Sequence, residues 1–151
     1  MGIQCKNNVF HLKTENTSYI FRVSKFGHLE HIHYGELLPD NACDVLAVKH
    51  DIGVGSSVTY SAKDDSYCLD TLCLEWSGMG KGDFRQTPVE LKMPDGSFGN
   101  DFLFQSHEIV SGCVAISSLP SAYDDETQAE TLIIHMADAS YDVILRLYYT
   151  V

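Results

Sequence analysis

Basic residues are scarce in this sequence. Ten Lys and Arg stand against twenty-one Asp and Glu, a formal charge of −11, which repels a phosphate backbone and excludes nucleic acid as an expected partner. Long apolar runs are missing as well. None approaches the roughly 20 residues that a bilayer-crossing helix requires, so no membrane partner is expected. The five cysteines, Cys5, Cys43, Cys68, Cys73 and Cys113, are odd in number and show no CxxC spacing. With no signal-like segment at the N-terminus, reduced thiols and a cytoplasmic location are expected. Met1-Gly2 is not followed by Ser or Thr at position six, where Lys6 stands, so myristoylation is not expected. The sequon Asn16-Thr17-Ser18 then meets no glycosylation machinery. Helical periodicity with caps is also lacking throughout.

What remains is period-two alternation over 151 residues of which 44% are hydrophobic, enough for one domain with its own core. Phe10 and Leu12 alternate with polar neighbours, Thr14 to Thr17 turns, and Tyr19, Phe21 and Val23 alternate again. Gly27 turns the chain and Leu29 to Tyr34 reads as the next strand before Gly35. The stretch 67–74 reads as a strand, and Val89, Leu91 and Met93 alternate. Pro94-Asp95-Gly96-Ser97 is a turn signal. A strand holding Phe102, Phe104, His107, Ile109 and Val110 runs to Gly112, and 113–117 reads as a buried strand. Leu132, Ile134 and Met136, a turn at Asp138 to Ser140, then Val143, Leu145, Leu147 and Tyr149 make a closing hairpin. The expected fold is all-β, a large antiparallel β-sandwich (a supersandwich) with no or minimal helix, formed by residues 1–151 as one domain. The chain ends inside a strand, so a longer natural polypeptide is expected.

One loop departs from ordinary β sequence: Glu75-Trp76-Ser77-Gly78-Met79-Gly80-Lys81-Gly82-Asp83-Phe84-Arg85. Alternate glycines permit positive φ or close backbone approach, beside the chain's only Trp. A phosphate cradle is disfavoured, because the last glycine of that motif is missing and no helix follows. The favoured reading is a structural loop built from Trp76, Gly80, Asp83, Phe84 and Arg85, with Arg85 paired bidentately to a carboxylate such as Asp83 or Glu75. His31-x-His33 puts two imidazoles on one strand face, but no third ligand is evident, and surface or interface residues are expected there. The acidic run Asp124-Asp125-Glu126 lacks the fixed spacing of calcium loops. No metal or cofactor is therefore expected. The long stretch 37–65 holds Pro39, Gly53, Gly55 and several serines, with 45–48 and 57–60 as possible short strands and Asp51 between them; irregular segments of this length are usually functional.

The order of Asn16-Thr17-Ser18-Tyr19, Gly27-His28-Leu29-Glu30-His31-Ile32-His33-Tyr34-Gly35, Leu69-Asp70-Thr71-Leu72, Gly82-Asp83-Phe84-Arg85, Leu119-Pro120-Ser121-Ala122-Tyr123 and Ala129-Glu130-Thr131-Leu132 resembles the N-terminal domain of family 36 α-galactosidases. The likeness covers essentially the whole chain and closes on Leu147-Tyr148-Tyr149-Thr150-Val151. It departs at Ser77, where Pro is frequent in the family, at Pro88, which lies one place further on, and across 37–66.

The resemblance implies a β-sandwich preceding a (β/α)8 catalytic barrel. It also implies retaining hydrolysis of terminal α-galactosides by two aspartates of that barrel, and a homotetramer. No catalytic residue is expected in this chain. Asp124 and Asp125 are sequence neighbours with no reason to face one sugar, whereas retaining chemistry needs carboxylates about 5 to 5.5 Å apart. The resemblance further implies that a loop aspartate, best matched by Asp51, contacts an α-galactoside in a neighbouring subunit of the full-length oligomer. Two roles follow: a non-catalytic domain supporting its own barrel and subunit assembly, or an autonomous carbohydrate-binding module using exposed Trp76, Tyr60 or Tyr123 as a stacking platform.

Overall fold

The computed structural model describes residues 2–46, 58–120 and 129–151. Two antiparallel sheets face one another. The first is a meander of β1 (Gly2–Lys6), β2 (Val9–Lys13), β3 (Thr17–Val23) and β4 (Leu29–Glu36). The second contains β5 (Phe102–Ser111), β6 (Glu130–Asp138) and β7 (Ile144–Thr150), also in sequence order. Between them lies a core of Phe10, Leu12, Phe21 and Leu29 from one sheet and Phe102, Leu132, Ile134 and Met136 from the other. Residues two apart on a strand share a face, so the alternating Leu132, Ile134 and Met136 reach this core together. The expected β-sandwich is thus present. Helix is confined to α1 (Cys43–Leu46) and a 3-10 turn at Leu69–Thr71 among the described residues.

Local chemistry sets the hairpins. β1 and β2 are joined by Asn7 and Asn8, both with positive φ (52° and 59°), the two-residue turn whose twist matches flanking strands. The Thr14 hydroxyl accepts from Thr17 N at 3.0 Å in the β2–β3 turn. Gly27, at φ 95°, closes the β3–β4 turn with its N–H on the Ser24 carbonyl. The Pro94–Ser97 turn forms as expected, with Gly96 N bonded to Met93 O at 2.9 Å. Asp138 caps the β6–β7 turn by accepting from Ser140 N and Tyr141 N, both at 2.8 Å.

Five expectations are corrected. The 67–74 stretch is not a strand. Tyr67, Cys68 and Leu69 are all buried in succession, which a half-exposed strand cannot do, so the chain coils into the 3-10 turn and touches β4 only through a single bridge at Leu74. The 113–117 stretch is not a buried strand either. Gly112 turns at φ 85°, Val114 N leaves the sheet ladder for the Thr131 hydroxyl, and Ile116 is exposed. Residues 89–93 alternate in sequence yet form no strand; Met93 is buried while its N–H closes the following turn on Ser97 O. Val45 and Leu46 belong to α1, not to a strand, with 47–57 outside the described residues.

The histidine pair is the fifth. A register shift beside Ile20 and Phe21 places His31 opposite Phe21 and His33 opposite Ile20, adjacent residues of β3 where a regular ladder would pair alternate ones. The imidazoles take separate partners: His31 Nδ1 bonds Glu75 Oε1 at 2.9 Å, and His33 Nε2 reaches the Glu36 carbonyl at 3.4 Å.

Candidate functional site

The 75–85 loop begins at a fixed point. His31 N donates to Cys73 O at 2.7 Å and Glu75 N to Leu29 O at 3.0 Å, which extends the first sheet by a short segment beside β4. This pairing turns the Glu75 side chain inward, where it is 4% exposed. A carboxylate so placed is costly unless donors replace its water. Three do. Tyr19 OH, from β3, lies 2.8 and 2.7 Å from the two oxygens; Tyr149 OH, from β7, donates at 2.9 Å; His31 Nδ1, from β4, donates at 2.9 Å. Glu75 therefore joins both sheets. Burial, reinforced by the neighbouring Glu75 charge and hydrogen bond, pushes the Tyr19 and Tyr149 hydroxyls far above the ordinary tyrosine range.

Past Glu75, Trp76 packs edge-on against Phe102, with ring centroids 6.2 Å apart. Gly78 lies against Asn100, where an added Cβ would sit 2.9 Å from Oδ1 and 3.0 Å from the backbone oxygen. Gly80 to Asp83 forms a tight turn, with Asp83 N on Gly80 O at 3.0 Å and positive φ at Lys81 (55°) and Gly82 (86°). Gly82 also meets Val58, whose Cγ1 would lie 2.9 Å from a Cβ there, so both its dihedral and its contact demand glycine.

Arg85 secures the far end. Its Nε bonds Asp83 Oδ1 at 2.8 Å and its Nη2 bonds Asp83 Oδ2 at 3.2 Å, the bidentate pair expected from the sequence, with Asp83 and not Glu75 as partner. The same guanidinium donates to Leu72 O at 2.5 Å and to Leu69 O at 2.8 Å, the latter also accepting from Leu72 N within the 3-10 turn, so Arg85 clamps the end of that turn. The Asp83 side chain is 0% exposed. Phe84, between the two, is 72% exposed.

A second polar node lies beside the turn. Buried Asp101 accepts from His28 Nε2 at 3.0 Å and Tyr60 OH at 2.9 Å, with Lys81 Nζ at 3.7 Å. His28 Nδ1 in turn meets Tyr67 OH at 3.0 Å, and that hydroxyl bonds Ser24 Oγ at 2.6 Å. Burial raises Asp101, but the hydrogen bonds from His28 and Tyr60, with the His28 and Lys81 charges, outweigh it and hold the carboxyl below its ordinary value. Burial pushes Tyr67 up to about 12, with the Glu30 and Asp101 charges adding to the rise. Tyr60 is raised further, by burial first and its bond to Asp101 second.

Glu30, Glu75, Asp83, Asp101 and Asp138 each accept from a protein donor, an arrangement suited to holding structure. Among the described residues no group of three or more His, Cys, Asp or Glu could hold a metal ion. The expected stacking platform is corrected in part: Trp76 is packed against the core cluster, and the Tyr60 ring sits edge-on to His28 with its hydroxyl on Asp101. Asp51, Tyr123, Asp124 and Asp125 lie outside the described residues. The Asp101 node had no sequence signal, because His28 and Asp101 are 73 residues apart.

The paired sheets and this loop are those of a known domain. Residues 27–151 match the glycosyl hydrolase family 36 N-terminal domain, and the chain belongs to that family. It is 34% identical to the bifunctional alpha-galactosidase/sucrose kinase AgaSK of Mediterraneibacter gnavus, over 95% of this chain and 15% of that protein. Its fold superposes with a TM-score of 0.87 on the family 36 alpha-galactosidase AgaB of Geobacillus stearothermophilus, at 28% identity, covering 99% of this chain and 20% of that one. A variant of AgaA from the same organism, solved in complex with stachyose, gives 0.86 at 29% identity, covering 94% of this chain and 20% of that one. The chain spans a fifth or less of the length of the two relatives first matched in sequence.

Two outcomes follow from the site geometry. Arg85→Ala removes the guanidinium from the buried Asp83 carboxylate, which keeps the backbone N–H of residue 85, and takes one donor each from Leu72 O and Leu69 O, so unfolding in urea should show a loss of about 2 to 4 kcal/mol; an unchanged midpoint would make the pair incidental. In alkali, the raised tyrosines stabilise the fold fully below their unfolded value of about 10. That contribution is lost as pH rises, from about 10 to about 12 for Tyr67 and higher for the others. Tyrosinate absorbance of Tyr19, Tyr60, Tyr67 and Tyr149 should therefore appear together with loss of the far-ultraviolet dichroism. All tyrosines titrating near 10 with the fold intact would contradict these networks.

Proposed function

We propose that this chain acts as the non-catalytic N-terminal domain of a longer α-galactosidase, which hydrolyses terminal α-galactosides with retention in a following (β/α)8 barrel. The domain supports the barrel and the assembly of a homotetramer. The observation that carries this reading is the family membership over residues 27–151 together with relatives that are alpha-galactosidases. The internal geometry supports it: the buried carboxylates accept inward-facing donors, whereas a retaining glycosidase needs two that face one sugar. Stachyose bound to the AgaA variant supports oligosaccharides as the substrate class. Among the described residues, the free thiols Cys5, Cys68 and Cys73 accord with a cytoplasmic location. An autonomous sugar-binding module is less favoured, since the Trp76 ring is committed to packing.

In this reading Asp51 reaches the active-site mouth of a neighbouring subunit and accepts hydrogen bonds from sugar hydroxyls. The test uses a nitrophenyl α-galactoside. The purified 151-residue chain should release no nitrophenol, and the longer polypeptide should turn over. Asp51→Ala in the longer polypeptide, with the tetramer verified by light scattering, should raise KM by about tenfold to a hundredfold, the loss of one charge-assisted hydrogen bond. Turnover by the short chain that depends on one of its own carboxylates overturns the non-catalytic role. Unchanged kinetics in an intact Asp51→Ala tetramer removes Asp51 from the site.

A further inference from the structure

Among the described residues Phe84 is the most exposed of the large apolar side chains, just ahead of Tyr34 at 71%. A single exposed apolar side chain is ordinary, and Phe84 at 72% exposure would mean little on a floppy loop. Its frame is the opposite of floppy. On one side Asp83 is fully buried and its N–H closes the turn on Gly80 O. On the other, Arg85 is tied through Nε, Nη1 and Nη2 to Asp83, Leu72 and Leu69. Val58 wedges against Gly82, two residues before the ring. An aromatic ring held outward by ordered neighbours loses little entropy when it is covered, which is the character of a binding anchor.

We propose that Phe84 is an anchor by which this domain docks, through an apolar pocket, onto the part of the longer polypeptide lying outside residues 1–151. The inference rests on the reading of the chain as one domain of a longer enzyme. Three observations select this occupant. First, the relatives first matched in sequence are roughly five to six times as long, since the matched part of this chain covers 15% and 20% of them, so most of their surface lies in that remainder, tethered at high effective concentration. Second, two copies of this chain on its own would set −11 against −11, so it is within the longer polypeptide, tetrameric as proposed above, that the ring finds its cover. Third, a sugar needs hydrogen-bonding groups beside the stacking ring. Here Asp83 is buried, the Arg85 nitrogens point back into the domain, and Lys81 Nζ lies over the Tyr60 ring at 5.5 Å. Lys81 and Gln86 are exposed nearby, but the carboxylate and guanidinium that flank the ring are already bonded within the domain, so the ring's own offer is apolar.

Hydroxyl-radical footprinting with mass spectrometry reads Phe84 directly. Its labelling should be fast in the 151-residue chain and several-fold slower in the longer polypeptide. Phe84→Ala should lower the melting temperature of the longer polypeptide by several degrees and leave that of the short chain unchanged, with Phe84→Leu restoring part of the loss. Equal labelling in both proteins overturns the proposal. Protection that disappears on dilution to the monomer overturns it in favour of a second copy, and protection that requires added raffinose overturns it in favour of a sugar contact. Nitrophenyl α-galactoside turnover by the same longer polypeptide tests the underlying reading separately: an inactive protein in which Phe84 is protected refutes the enzymatic assignment and keeps the docking.

Discussion

The carboxylate of Glu75 is the constraint on which the arrangement of this domain depends. It is withdrawn from water between two sheets and accepts hydrogen bonds from β3, β4 and β7. A buried charge is tolerable only when its donors are in place together, so the site tolerates one relative placement of the sheets. Apolar contacts alone would be more permissive. The rings around it share in this: Phe21 stacks on Phe10 at 4.9 Å and on Tyr149 at 5.0 Å, so the hydroxyl that reaches Glu75 belongs to a ring already held by the core. Because segment 73–75 is also bonded to β4 through the backbone, the glycine-rich loop leaves from a position fixed on both sides.

From that origin the loop is held in succession. Trp76 lies on Phe102, Gly78 approaches Asn100, and Lys81 approaches Asp101, so it follows the start of β5 and joins the second polar node. Arg85 then returns it to the 3-10 turn. The result is a rigid strap between the two buried carboxylates Glu75 and Asp101. Such stiffness suits a domain whose proposed role is to present surfaces to the rest of an enzyme, since a pre-ordered surface binds at lower entropic cost.

Local features of this structure were legible in the sequence and distant ones were not. Turns could be read because their signalling residues lie within a few positions, as at Thr14 to Thr17, Gly27 and Pro94 to Ser97, the first two of them within hairpins. Asn7 and Asn8 were an available signal for β1 that the alternation of Phe10 and Leu12 overshadowed. The Asp83–Arg85 pair was legible because it spans two positions. His31-x-His33 misled because an irregular register breaks the rule that residues two apart share a face. The 67–74 stretch misled because three successive buried residues need a coil, and what stabilises that coil is Arg85, sixteen residues beyond Leu69. Glu75 and Tyr149 are separated by 74 residues, and nothing near either one announces the other. Family likeness reached the domain as a whole, where spacing of short words survives, but not these pairings.

The claim that Glu75 couples the two sheets is tested most directly by a double-mutant cycle with Tyr149. Tyr149→Phe removes one hydroxyl and should cost about 1.5 to 3 kcal/mol, the range for a hydrogen bond to a charged group. In a Glu75→Gln background, where the charge is gone, the same change should cost about 1 kcal/mol or less, leaving a coupling of at least about 0.5 kcal/mol between the sites. Equal costs in the two backgrounds, measured by urea unfolding, would show that the carboxylate does not hold β7 and would contradict the account.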